Sequence, residues 1–554
     1  MLTQMFDYLR IALYATLVVL VLILYQTWEK DHPQPLTSKA VLQEEKNSSY
    51  VPNIVDTPKD YAKPVTTSVS NAPKPSFIAV KTDAISMEID PQGGNINEVK
   101  LLKYNESLHS NTPYILLNDL QQTRNIAQSG LIGLEGPDTK QGQALYTVEQ
   151  TQYELQPGQN ELQVKLNWQN TNIQVTKTFT LKRNSYVIDV DYEVTNHSDK
   201  PYDANLYFQL MRTNSPPPTQ QSGFMNLATY FGAAISSPEK RFQKISFKDM
   251  QNNKLNQTIT GGWAAMIQHY FVSAWIPDKT YTMQYFTNIT HDDLYTVGMI
   301  SPKINVNPNQ SVHIPAKFYA GPAIAKDLEA AAPGLKLTID YGWFWFISDL
   351  IFWMMQHIYD LIGNWGWAIV IVTIIIKLAF YKLSAKSYRS MSAMKKLQPK
   401  LSALKERFAD DKQKFTQATL ELYKKEKVNP MSGCLPILIQ IPVFIGLYWV
   451  LIESVQFRQA PWILWIHDLS QKDPFYVLPV LMGLSMFFQQ RLNPPPPDPM
   501  QAKVMMFMPV VFTVLFINFP AGLMLYWFVN NSLSFLQQWF IMRKLEASKT
   551  KKIS

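Results

Sequence analysis

One lysine stands where a charge is costly. Lys377 lies inside the apolar run AIVIVTIIIKLAF of a 554-residue chain. A charge at the centre of a bilayer costs at least about 2.5–3.5 kcal/mol on insertion scales, which makes such a residue a functional candidate by default. The alternative is a side chain that reaches back to water. Lys377 precedes Lys382 by five positions, about 7.5 Å along a helix, which is within snorkelling reach of a membrane surface. A water-filled cavity open to the cytoplasm reconciles both readings, since a cation facing it stays hydrated. Thr373 falls one turn earlier on the same face. Gln440 interrupts a second apolar run, and Asn530 and Asn531 interrupt the last. Each alone reads as a helix–helix hydrogen bond; on adjacent spans they can line one hydrated groove. The chemistry of such a groove is attraction of carboxylates and other polar groups to a cation, with no bond made or broken.

Bond-making signatures are missing from the sequence. No GxxxxGK[ST], HExxH or GxSxG occurs. The eight His are scattered without metal-ligand spacing, and His291-Asp292-Asp293, the nearest approach to a cluster, reads as a turn. Cys434 is the only cysteine, which excludes a disulfide scaffold. The expectation is a protein that is not an enzyme, with no catalytic residues, no cofactor and no metal.

Groove residues need membrane helices to carry them, and the composition supplies these. Charged residues make up 17% of the chain, beside 14 Trp, 29 Phe and 22 Met, whereas soluble domains average about 25% charged. Residues 11–28 are apolar and long enough to span a bilayer. The YQTWEKD that follows offers no A-x-A cleavage site, so residues 1–30 read as an uncleaved anchor rather than a signal peptide. Arg10 places its N-terminus in the cytoplasm. Further apolar segments lie at about 365–383, 434–455, 475–490, 504–518 and 521–541, the last two separated by Phe519-Pro520-Ala521-Gly522. Six spans put both basic stretches inside: 382–427, with 13 Lys/Arg against 5 Asp/Glu, and 543–554, with 5 against 1. Five spans would put the basic tail outside. Pro436, Pro442, Pro479 and Pro509 suggest kinks, and the short 504–518 span favours a thinned bilayer.

Outside the spans the patterns change. Residues 31–75 are rich in Pro, Ser, Thr and Lys and read as a flexible tether. Over 76–342 the period falls to two, as in LQVKLNWQ and YVIDVDYEV, which fits a large antiparallel β-sandwich on the periplasmic side. Residues 343–362 put Asp349, Gln356 and Asp360 on one narrow helical face, as in an amphipathic helix lying in the membrane surface; the alternative is the start of the next span. Helical periodicity over 384–430, with FADDK as the turn, gives a basic cytoplasmic hairpin. It is at least a topology determinant, and it could contact ribosome, nucleic acid or an extended chain. The tail 543–554 reads as disordered and could touch ribosomal RNA.

Several stretches are similar to a known family. LQPKL (397–401), LYKKEKVNPMSGCLPILIQIPVF (422–444), RQAPWILWIHDLS (458–470), DPMQAKVMMFMP (498–509) and FPAGLMLYW (519–527) resemble the YidC family of bacterial membrane protein insertases. WAAMIQHYFVSAWIP (263–277) resembles the periplasmic domain of its Gram-negative members. The resemblance covers essentially the whole chain. It implies six transmembrane helices, with a five-helix insertase core over 363–542 around a hydrophilic groove open to cytoplasm and lipid. It also implies a periplasmic β super-sandwich of the sugar-mutarotase type, for which no sugar chemistry is expected. Thr373 falls in the family's groove segment, and Tyr526 and Trp527 match its groove and exit-path aromatics. The family's groove cation is commonly Arg; Lys377 keeps the charge but loses the bidentate fork. The function implied is an inner-membrane insertase and chaperone for nascent membrane proteins, working alone or beside the Sec translocon. The basic loop and tail would meet the ribosome, and no DNA partner is expected. Two rivals make other demands. A transporter requires inverted repeats and acidic midplane sites, whereas Glu453 lies near the outer end of its span. A periplasmic carbohydrate-binding or assembly protein on a passive anchor requires function to reside in about 80–320.

Overall fold

The computed structural model describes residues 51–52, 76–139, 142–217, 229–290, 293–408, 411–426, 428, 435–493 and 499–553. The expected anchor, the tether apart from Val51 and Pro52, Cys434 and the His291-Asp292 pair lie outside these residues.

Alternation of side chains builds the first half. In Ile173–Lys182 every second residue is buried, and Val187–Asn196 follows the same rhythm. The two strands pair antiparallel, Val175 opposite Val194, and Val175 also faces Trp168 of Glu161–Gln169. Among the described residues eight strands form one sheet, in the order Gln243–Ile245, Gly232–Ser236, Trp263–Gln268, Phe271–Pro277, Ser311–Pro322, Val187–Asn196, Ile173–Lys182, Glu161–Gln169. A second sheet has thirteen described strands, its main path running from Asn256–Thr260 through Thr282–Ile289, Leu294–Ile300, Tyr202–Thr213 and Asn125–Gly133 to Asn95–Asn105, Ile85–Asp90, Ile78–Lys81 and Gln152–Glu154. The inner faces share one apolar core. Trp275 sits at its centre, its ring 4.9 Å from Phe208 and 4.6 Å from Phe318. Two short helices, α1 (Phe247–Asn252) and α2 (Ala325–Ala331), flank the sheets.

The second half is helical. α3 (Trp345–Ile362) exposes Trp345, Phe346, Leu350, Trp353 and Leu361, and buries Ile351 and Met355. Its Gln356 donates to Asp360 at 2.8 Å on the polar face. Gly363, at φ 71°, ends it in the left-handed region, and the Asn364 side chain caps the next helix by accepting from the Trp367 N–H. That helix, α4 (Trp365–Ala379), stops four residues short of the expected 383. At Phe380 the chain bends by 67° into α5 (Tyr381–Lys396). α6 (Gln398–Arg407) and α7 (Lys412–Lys425) follow, with Asp411 capping α7 through the N–H groups of Gln413 and Lys414.

α8 (Leu435–Glu453) runs on through Pro442, and α10 (Pro499–Leu515) through Pro509. In α9 (Val477–Leu492), Pro479 falls in the first turn, where a missing N–H breaks no helical bond, so it is not a mid-helix kink. α11 (Ala521–Ile553) starts after the Phe519-Pro520 break and continues to Ile553. The tail expected to be disordered is therefore helical, in keeping with its Lys, Glu, Leu and Ala and its lack of Gly or Pro. Among the described residues no single helix is long and apolar enough to cross a membrane, while the bent pair α4–α5 passes by length and composition.

The two halves are docked at the C-terminal end of α8. His269 Nε2 lies 2.9 Å from the Ile452 carbonyl, and Arg458 donates to the carbonyls of Asn105 at 2.6 Å and Glu106 at 3.0 Å. The same guanidinium lies over the rings of Tyr114 and Phe271.

Candidate functional site

Lys377 occupies the last turn of α4, just before the bend. A cation there complements the helix dipole. Its ammonium donates to Ser534 Oγ of α11 at 2.7 Å and to Gln440 Oε1 of α8 at 3.4 Å. Among the described residues no carboxylate pairs with it. Ser534 Oγ donates in turn to the Asn530 carbonyl at 2.7 Å. Ile376, Lys377, Phe380, Ser384, Gln440 and Asn530 border a small cleft of about 30 Å³.

Two of the five expected residues, Lys377 and Gln440, bond each other here. Tyr526 is buried, its ring 6.3 Å from that of Phe444. Trp527 stands beside them in an aromatic layer, its ring 4.8 Å from Phe444 and 4.7 Å from Phe516. Thr373 does not join. Its buried hydroxyl turns back 2.7 Å onto the Ile369 carbonyl of its own helix, as Ser and Thr commonly do in helix interiors. Asn531 faces α9, donating to Ser485 Oγ at 3.3 Å.

Ser534 and Ser384 were not among the sequence-derived candidates. The available signal was the spacing of Asn530, Ser534 and Gln538, four residues apart on α11 and only 7%, 3% and 1% exposed. Residues at i and i+4 share a helical face, so the three form a buried polar stripe. Gln538 extends it to Asn493 at 3.0 Å.

A held cation bordered by neutral amides and hydroxyls can bind a carboxylate or a polar side chain. Nothing about it activates a nucleophile. Among the described residues no group of three His, Cys, Asp or Glu is arranged to hold a metal ion.

Comparison with known proteins bears on both halves. Residues 77–354 match the family model for the YidC periplasmic domain, and residues 357–549 that for the 60Kd inner membrane protein. The chain is 45% identical over 559 residues to the membrane protein insertase YidC of Pseudomonas entomophila (strain L48), spanning 99% of each chain. It is 47% identical over 553 residues to that of Legionella pneumophila (strain Lens), again across 99% of each. The crystal structure of an active YidC insertase with its first transmembrane domain resolved is similar at 20% identity and a TM-score of 0.37, covering 84% of this chain and 92% of that one.

Proposed function

Because this chain belongs to the YidC family of membrane protein insertases, we propose that it inserts nascent membrane proteins by receiving their polar flanks at Lys377. As an insertase it works on nascent membrane proteins at the lipid bilayer, and the β-sandwich is the periplasmic domain of an inner-membrane protein. The observation that supports the groove is the state of its cation: two neutral partners hold Lys377, and no carboxylate among the described residues neutralises it. An acidic or polar residue beside an incoming span would find an unpaired charge in a weakly screened cleft. Once the flank is held, transfer of the apolar span into lipid supplies the driving force.

On this reading the chain divides into an anchor (1–30), a tether (31–75), a periplasmic domain (76–342), an interfacial helix (343–362) and an insertase core (363–542) with its basic tail (543–554). Both termini and the α5–α7 hairpin lie in the cytoplasm. The basic hairpin and tail meet the ribosome, and the protein acts as a chaperone, alone or beside the Sec translocon. The supporting observation is the excess of basic residues in 382–427 and 543–554. Site-specific crosslinkers at Lys377, Gln440 and Tyr526, tested against ribosome-bound nascent chains, check the groove. Crosslinks to the emerging span are expected from all three. Crosslinks confined to the periplasmic domain would contradict the reading.

A further inference from the structure

We propose that Ser534 is the positioning residue for the groove cation, Lys377. The inference rests on the groove reading above and adds a residue to it.

A serine hydroxyl has one proton and two lone pairs. In Ser534 the proton is committed to the Asn530 carbonyl at 2.7 Å. Its oxygen is left to accept, and the Lys377 ammonium donates to it at 2.7 Å. The side chain is only 3% exposed, so water does not compete for that acceptor. The arrangement answers a need particular to lysine. An ammonium on a flexible four-carbon stem has three rotatable donors and no fork to fix its direction. Ser534 and Gln440 take two of the three, which fixes the head group at the cleft and leaves one N–H for a substrate carboxylate.

The test uses the full chain in proteoliposomes and a single-span substrate in two forms, with Asp or Asn beside the span. The readout is the ratio of Asp-form to Asn-form insertion. Ser534→Ala is expected to lower that ratio about tenfold, the change for losing one hydrogen bond to a charged group, the Asp form falling more than the Asn form. Ser534→Thr restores the ratio. Adding Ser534→Ala to Lys377→Gln lowers it no further than Lys377→Gln alone. A ratio untouched by Ser534→Ala, in a protein whose Lys377→Gln variant loses it, would overturn the inference and leave the groove reading standing. Equal loss of both substrate forms in Ser534→Ala, without rescue by threonine, would also overturn it. A ratio unchanged in Lys377→Gln removes the groove reading itself. Should Ser534→Ala fail to accumulate, Ser534→Cys and Ser534→Thr decide the matter at matched protein amounts.

Discussion

Lys177 and Lys377 are both withdrawn from water, and the chain treats them in opposite ways. Lys177 lies on the buried face of Ile173–Lys182, in phase with Ile173, Val175, Phe179 and Leu181. Three backbone carbonyls accept from its ammonium: Gly94 at 2.7 Å, Ser129 at 3.0 Å and Gly93 at 3.3 Å. Asp138, fully buried and bonded by the Leu131 N–H at 2.9 Å, supplies the opposing charge. Burial pushes the Lys177 ammonium down and the Asp138 carboxyl up, and each charge counters the other's shift. This lysine is saturated and therefore structural, whereas Lys377 keeps a donor to offer. Lys177→Met removes the charge that holds the buried Asp138 carboxyl down, so that carboxyl must take up a proton or stay uncompensated, and a loss of about 3–5 kcal/mol is expected at pH 7. The carboxyl titrates above its unfolded value, so the folded state is penalised wherever an unfolded Asp is ionised. The loss shrinks as falling pH approaches the range in which the unfolded carboxylate is itself protonated. Urea unfolding of the periplasmic domain within the full chain, at pH 7 and pH 5, checks this. Asp138→Asn added to Lys177→Met is expected to recover most of the loss.

Between residue and molecule, the helix ends carry the geometry of the groove. Gly363 ends α3 at φ 71° with open space where a Cβ would go, whereas a Cβ on Gly366 would come within 2.1 Å of Trp462. Gly363→Ala is expected to cost about 1 kcal/mol from the left-handed backbone alone. Gly366→Ala forces Trp462 off the N-terminal end of α4 and is expected to cost about 1–3 kcal/mol, as overpacking does. Thermal unfolding of the two variants in detergent gives the order; a lower Tm for Gly363→Ala than for Gly366→Ala contradicts it.

Much of this layout was legible in the residues. Period-two alternation marked strands such as Val187–Asn196, and Phe519-Pro520 marked the break before α11. The bend at Phe380 was hidden, because no Gly or Pro signals it and apolar residues continue across it. Ser534 was hidden because serine is ordinary in membrane helices, and its four-residue spacing from Asn530 and Gln538 gains meaning only once α11 is seen to bury that face. Thr373 misled for the converse reason: sharing a face with Lys377 does not stop a hydroxyl from bonding its own backbone.

At the scale of the whole molecule, the periplasmic domain is held to the helical core through a group that titrates. His269 is buried against the Ile452 carbonyl, and that burial pushes its imidazole down to about 4, with Arg458 nearby adding to the shift. Its folded value is below its unfolded one, so protonation favours the undocked state. Docking is fully stable above about pH 6.5 and weakens as pH falls from there toward 4. Hydrogen exchange at Phe271–Pro277 and at the end of α8 is expected to quicken between pH 7 and pH 5, and His269→Gln to flatten that response. Exchange that is independent of pH in the parent would contradict the assignment. The insertase reading itself turns on the sign of one charge in the cleft, and a charge swap tests it most directly. In proteoliposomes, the parent is expected to insert a span flanked by Asp about tenfold better than the same span flanked by Lys, and Lys377→Glu to reverse that order, the change of a buried charge-assisted contact. An order left unchanged by Lys377→Glu, with the variant folded and the substrates otherwise inserted, would contradict a groove that works through its cation.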